Sequence, residues 1–430
     1  LLSLFFISSM PLCADEITEF ILPNGLKLVV KPDQRSPIAI FQIWYKVGSA
    51  NEQKGHTGIS HLLEHLMYRS NRYHSLNKVY QQMGSIGSLG NAYTTRDHTF
   101  YYHTLKKKYL PLAFALEAER MKYLDVDKNA FEIEKKIIKQ ERLERINRDP
   151  YLKANNALYR LAFKNDGYQF PVIGLPEDLP GLTLKQAMIW HKNRYTPDNA
   201  TIVVVGNVKP AEVISLAKKY FSPIKKKKQK ANNSLIADEE KHSITRYIMP
   251  ESTKVGMVFL AFKVPSIKTT FPAWEAYALD VLAGWLESGN HSRLTNTLVI
   301  DKKIAHEVFV NYSPMSRKQS LFIIEASPLE GISLQQLEQE IIAEIQQIKK
   351  EHISDKTLQK VKNQMIATEI FERDSMHTQA KIIGQAESVD IHWSEDAQYI
   401  NRIKAVTAEQ INEVLQKYIN LEKKFVVIQN

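Results

Sequence analysis

The chain has 430 residues, 44% of them hydrophobic and 24% charged; this excludes a disordered or low-complexity polypeptide and suits two domains of roughly 200 residues each. The net charge of +10 would suit a nucleic-acid binder. Much of the excess, however, sits in bare lysine runs at Lys106–Lys108 and Lys225–Lys228, which without interleaved aromatics read as solvated faces or linkers, so no nucleic-acid partner is expected.

In chain order, Leu1 to Leu12 is apolar and uncharged, and Cys13-Ala14 leads into a polar stretch from Asp15. This pattern resembles the apolar region and cleavage site of a secretory signal without its basic start. It is too short to span a bilayer, so no stable membrane insertion is expected. Residues 1–14 are read as a signal peptide. Cys13 is the one cysteine of the chain, so the remainder can hold no disulfide and tolerates an oxidising compartment, the bacterial periplasm.

Phe20 to Val30 reads as two strands around an Asn24-Gly25 turn, and Ile38 to Val47 as a third. Helical patterns are expected at 57–69, 75–83, 108–123, 128–147 and 184–194, with a strand pair over Asn91 to Leu105 and a short buried strand over Ala200 to Val205. Tyr195, Val203, Val204 and Asn207 align without a gap on Tyr418, Val426, Val427 and Asn430, and Tyr45-Lys46-Val47 has a counterpart in Phe262-Lys263-Val264. Matches in the same order at nearly the same offset predict duplicated halves. The lysine-rich stretch Pro223 to His242 reads as the joint. The expected division is 15–222, a linker over 223–243, and 244–430.

His61-Leu62-Leu63-Glu64-His65 lies in a helical pattern that opens after Gly58. Residues four apart on a helix stand one turn above each other on one face, so His61 and His65 can aim both imidazoles at a single metal ion with Glu64 beside them. A hydrolytic zinc site needs a third protein ligand and an open position for water. The pattern at 128–147 offers Glu132, Glu134, Glu141 and Glu144.

These residues resemble the inverted zinc motif H-x-x-E-H. Over nearly all of residues 15–430 the chain resembles the pitrilysin/insulinase family of zinc metallopeptidases, nearest its bacterial two-domain branch similar to mitochondrial processing peptidase. The resemblance rests on Thr57 to His65, on Gly90 to Thr99, on Phe131, Glu134, Ile138 and Glu141, on Phe170 to Gly174, and on Arg194 to Ala200. It implies an α+β fold of two homologous α/β domains, each a mainly antiparallel sheet packed with helices, together forming half of a clam-shell chamber. It further implies one zinc ion per chain held by His61, His65 and Glu141, with Glu64 as general base and Glu134 supporting a ligand histidine. Asn91 and Ala92 match positions that hold an extended peptide substrate against an edge strand. The implied function is an endopeptidase acting on peptides or small unfolded polypeptides.

The chain departs from that pattern in its second half. After Ser292-Arg293-Leu294 the family places an Arg and, seven residues later, a Tyr that hold and polarise the substrate; here those places fall on Val299 and His306. Valine donates no hydrogen bond and cannot replace a guanidinium. The counterpart of the zinc helix, Ala278 to Ser288, has no ligand pair, so the second half is expected to wall the chamber without a metal of its own. Ser70-Asn71 also replaces the usual Gly-Thr. A homologous partner chain that supplies the Arg and Tyr, or a homodimer, is therefore expected. A catalytically silent structural subunit and a metal-dependent peptide-binding subunit are the competing readings.

Overall fold

The computed structural model describes residues 17–69, 83–226, 245–250, 256–287, 289 and 292–429. The leader over 1–14, Ser70-Asn71, the helix expected at 75–83 apart from its last residue, and most of the linker lie outside the described residues.

The first half runs β1 (Thr18–Ile21), β2 (Lys27–Pro32), β3 (Ile38–Tyr45), α1 (Ile59–Leu66), β4 (Leu89–Thr94) and β5 (Thr99–Lys106). It continues through α2 (Leu110–Lys122), α3 (Lys128–Glu141), α4 (Pro150–Ala162), α5 (Leu184–Arg194), β6 (Ala200–Gly206) and α6 (Pro210–Phe221). The second half runs β7 (Thr245–Met249), β8 (Met257–Val264), α7 (Trp274–Glu287), β9 (Ala305–Tyr312), β10 (Ser320–Pro328) and α8 (Leu334–Ile348). Then follow α9 (Asp355–Glu372), α10 (Met376–Ser388), α11 (Trp393–Ala397), α12 (Tyr399–Ala405), α13 (Ala408–Tyr418) and β11 (Phe425–Gln429). The long helix expected over 128–147 is regular only to Glu141; residues 142–147 widen into a π-helical segment. Such widened turns are frequent at functional sites.

The two sheets repeat one plan. The first has the order β1-β2-β6-β3-β5-β4 and the second β7-β11-β8-β10-β9. In each, one parallel pair (β2 with β6, β7 with β11) adjoins a run of antiparallel pairs. The duplication seen in the sequence is therefore a duplication of topology. Its ungapped alignment, however, is one residue out. The Thr183/Gln186 capping box that opens α5 recurs as Thr407/Gln410 at the start of α13, and the matching exit conformations fall on Tyr195 and Ile419. Strand pairing agrees: Trp44 faces Thr201, and Ala261 faces Phe425. Tyr195 thus corresponds to Ile419, whereas Tyr418 still belongs to the helix. The identity of the two tyrosines is a coincidence of local composition.

Each sheet is covered on one face by its own helices and on the other by a helix from the opposite half. Ala154, Leu158 and Ala162 of α4 recur at intervals of four residues and pack against Phe259, Ala261, Leu321 and Ile323 of the second sheet. Reciprocally, Ala380 and Ile383 of α10 pack against Val29, Ile40, Trp44 and Val203 of the first. Small residues permit this approach. A Cβ on Gly384 would lie 2.0 Å from the Trp44 indole nitrogen. The alternate residues of the first sheet, among them Leu28, Phe41, Ile43 and Val204, face α1, α2 and α6 in the main core.

Candidate metal centre

Helix α1 is two turns long, and its apolar residues Ile59, Leu62, Leu63 and Leu66 are buried in the main core. That burial fixes the helix's rotation and leaves His61 and His65 on the opposite flank, with ring centroids 4.8 Å apart. Alongside it, α3 buries Phe131, Glu134 and Ile138. Glu141 lies two turns beyond Glu134 and so presents its carboxylate on the same side.

The ligating atoms of His61, His65 and Glu141 all lie within 4.8 Å of one another. Glu141 Oε2 stands 3.8 Å from His61 Nε2 and 3.4 Å from His65 Nε2. Tetrahedral zinc with bonds of the usual length holds its ligands about 3.4 Å apart, and two imidazoles with one carboxylate is a donor set of hydrolytic zinc. The residues present therefore fit a zinc ion. Of the other carboxylates considered, Glu132 pairs with Lys135 and Glu144 accepts from Gln140. Glu134 reaches the cluster from behind: its Oε2 is 3.1 Å from His65 Nδ1, and its Oε1 accepts from Arg69 Nε at 2.6 Å. A carboxylate on Nδ1 fixes the tautomer that leaves Nε2 free to ligate.

Burial, reinforced by neighbouring His65, lowers His61 to about 4, which keeps it the neutral base that a metal requires. Burial also opposes charge on His65, but its bonds to Glu141 and Glu134 outweigh this and raise it. The His65 bond in turn lowers Glu141. Glu64 is raised by burial, partly offset by a hydrogen bond from Thr94.

Among the described residues the expected peptide-binding strand is a sheet edge: β4 pairs there with β5 alone. The Ala92 amide donates to its neighbour's Asn91 Oδ1 at 2.9 Å instead of to β5. In an antiparallel ladder such a residue turns both its N–H and its C=O outward. Asn91, Ala92, Glu64 and the three candidate ligands line a single cleft of about 790 Å³.

All the residues lining that cleft lie between His61 and Ile173. The second half meets the first sheet on its other side, where α10 is seated on the face opposite α1. Val299 packs against the core of the second half, and His306 is exposed on β9; neither reaches the cleft. In α7, Ala278, Val281 and Leu282 are buried apolar residues, Asp280 between them accepts a hydrogen bond from the Tyr399 hydroxyl at 2.6 Å, and Gly284 faces Val361 and Met365 of α9. Another grouping of possible ligands, Glu19, Glu387 and His392, does not fit a cation, because Lys27 sits 3.1 Å from Glu19 and 2.9 Å from Glu387.

Sequence reasoning missed three groups at the centre: Thr94, Arg69 and Arg145, which holds Glu141 Oε1 at 2.9 Å. Each had a local signal. Arg69 and Arg145 stand four residues after His65 and Glu141, the spacing of neighbours on one helix face. Thr94 follows Ala92 at the strand period of two.

Two family profiles match the chain. One, described as "Insulinase (Peptidase family M16)", covers residues 27–174, and the other, "Peptidase M16 inactive domain", covers 181–365. The chain is 29% identical over 344 residues to the "Zinc protease PqqE" of Helicobacter pylori, spanning 79% of this chain and 76% of that one. The crystal structure of a protease from Helicobacter pylori matches with a TM-score of 0.90 at 26% identity, over 97% of this chain and 99% of the other. The periplasmic protease PqqL from Escherichia coli shares the fold, with a TM-score of 0.79 at 18% identity; the match covers 98% of this chain and 48% of PqqL.

Proposed function

Because this chain belongs to the insulinase family of peptidases (M16), we propose that it is an exported zinc-dependent endopeptidase that hydrolyses peptides or small unfolded polypeptides. The observation that carries the reading is the convergence of His61, His65 and Glu141 beside Glu64 in a cleft edged by β4, the outermost strand of the sheet among the described residues. Bound by those three residues, zinc would supply the Lewis acid that acidifies water and polarises a peptide carbonyl. Glu64 takes the proton of the attacking water and returns it to the leaving amine. Thr94 holds the Glu64 carboxylate in place through Oε2. Ala92 offers backbone N–H and C=O to an extended peptide, and Asn91 Oδ1, which accepts the Ala92 N–H, is displaced as the peptide adds to the sheet. Glu134 keeps the His65 Nδ1 proton and thereby the orientation of the ring.

The catalytic part of the chain is assigned to 15–222, with 223–243 as linker and 244–430 as the half without metal. The apolar start Leu1 to Leu12 supports export to the periplasm, as does the likeness to a periplasmic protease. No helix of the described residues is long and apolar enough to cross a membrane. A second reading, a silent or peptide-binding subunit, draws on Val299 and His306 standing where donors are expected. Metal analysis together with hydrolysis of a quenched peptide, with and without chelator, separates the readings. Zinc at one equivalent with chelator-sensitive turnover is expected; bound zinc without turnover would favour the second reading.

A further inference from the structure

The start of α1 is built by buried groups that the mechanism above does not use. Gly58 precedes the helix in a left-handed conformation, φ 85°, and supplies no side-chain cap. Glu52, in the loop after β3, takes that place from a distance. Its Oε2 accepts the Gly58 N–H at 2.7 Å and its Oε1 the Ser60 N–H at 2.8 Å. Asp178 secures the chain just before: its Oδ2 accepts from Gly55 N at 3.0 Å, Thr57 N at 3.2 Å and Thr57 Oγ1 at 2.6 Å. Both carboxylates are buried, Glu52 at 5% and Asp178 at 7% exposure.

A helix of two turns is marginal by itself, and its first amides lack partners within the helix. Ser60, whose amide Glu52 holds, is the residue directly before His61. Two bonds to two separate amides fix both the axial position and the tilt of the helix, which a single-atom cap cannot do. Metal sites tolerate displacements of only about 0.2–0.5 Å, so small movements at Ser60 are felt at the imidazoles.

We propose that Glu52 is a positioning residue of the metal centre: its carboxylate sets the seat of α1 and hence the angle at which His61 and His65 meet the cation. This rests on the reading of those histidines as ligands. Glu52→Gln keeps the size and one acceptor but turns an amide NH₂ against one of the two N–H groups. The test compares zinc affinity, by chelator competition, and the visible spectrum of the cobalt-substituted protein in wild type, Glu52→Gln and Glu52→Asp. Leu337→Ala, a cavity mutation in the buried core of the second half, serves as a control for general destabilisation. Glu52→Gln is expected to bind zinc about tenfold or more weakly and to alter the cobalt bands, Glu52→Asp to lie between, and Leu337→Ala to leave both unchanged. If Glu52→Gln does not fold, Glu52→Asp is read by the same criteria. Wild-type affinity and spectrum in a folded Glu52 variant, or equal changes in Leu337→Ala, overturn the proposal. A wild-type protein that binds neither zinc nor cobalt removes the metal reading itself, and the positioning role with it.

Discussion

Thr94 Oγ1 donates a hydrogen bond of 2.5 Å to Oε2 of Glu64, tying the last residue of β4 to the carboxylate beside the two histidines. Burial raises the pKa of Glu64 and this bond opposes the rise. Thr94→Val preserves the shape and removes the donor. A hydrogen bond to a charged group contributes about 1.5–3 kcal/mol, so turnover at neutral pH is expected to fall about tenfold or more. The base must be ionised to act, so the acidic limb of the kcat/KM profile should move to higher pH while zinc stays bound. An unmoved profile would count against the role given to Thr94.

Glu64→Gln removes the base and leaves the ligands in place. Zinc should remain at one equivalent with the fold intact, and peptide hydrolysis should disappear. His61→Ala, His65→Ala and Glu141→Ala should each lose metal as well as activity, since each withdraws one of the three converging atoms. Metal analysis beside the activity assay distinguishes the two classes; near-wild-type turnover in Glu64→Gln would sink the mechanism.

Glu134 touches His65 through one oxygen and Arg69 through the other. Glu134→Ala should weaken zinc binding by about 10–100-fold, the usual effect of removing a partner behind a ligand histidine. Titration against a chelator of known affinity measures it, and unchanged affinity would show that the ring is held by packing alone.

Acid should loosen the joint between the halves. His98 is buried, and its Nδ1 lies 3.0 Å from Ser388 Oγ, whose hydroxyl already donates to Gln385 O. His98 therefore donates from Nδ1 as the neutral ring. Burial, with Arg317 and Lys381 nearby, lowers its pKa to about 3. The unfolded chain binds the proton near pH 6.5 and the folded one does not until far lower, so the stability is present above that value and is lost as pH falls through the window between. At pH 5 the loss is about 2 kcal/mol. Denaturant unfolding at pH 7 and pH 5 should show a smaller drop for His98→Asn than for the wild type; equal drops would assign the acid sensitivity elsewhere.

The donors expected opposite the metal fall on Val299 and His306, neither of which reaches the cleft. Losing one such donor costs roughly 3 kcal/mol in the transition state. The isolated chain should therefore be weakly active, and a homologous chain carrying the Arg and Tyr should raise its turnover about a hundredfold. Full activity of the chain alone, unchanged by His306→Ala or by an added homologue, would mean that no partner is needed.

The sequence by itself determined what depends on local period. The two-histidine helix follows from a spacing of four, the strand pair over Asn91 to Leu105 from its β-branched and aromatic residues, and the duplication from repeated strand and turn residues, whereas the edge position of Asn91 and Ala92 came from the family resemblance. Those patterns are written within a few turns of one element, where backbone geometry alone places the side chains. The tertiary structure decided what depends on packing between elements. Periodicity left Glu132, Glu134, Glu141 and Glu144 open, and only the docking of α3 on α1 turns Glu141 to the Nε2 atoms and Glu134 to Nδ1. The register of the repeat slipped by one because Tyr195 and Tyr418 share a name but not a place at the end of their helices. The exchange of α4 and α10 between the sheets had no sequence mark beyond an alanine stripe and Gly384. It arises because each sheet has a second apolar face to bury, and the helix that covers it lies in the other half of the chain, as Gly384 does from Trp44.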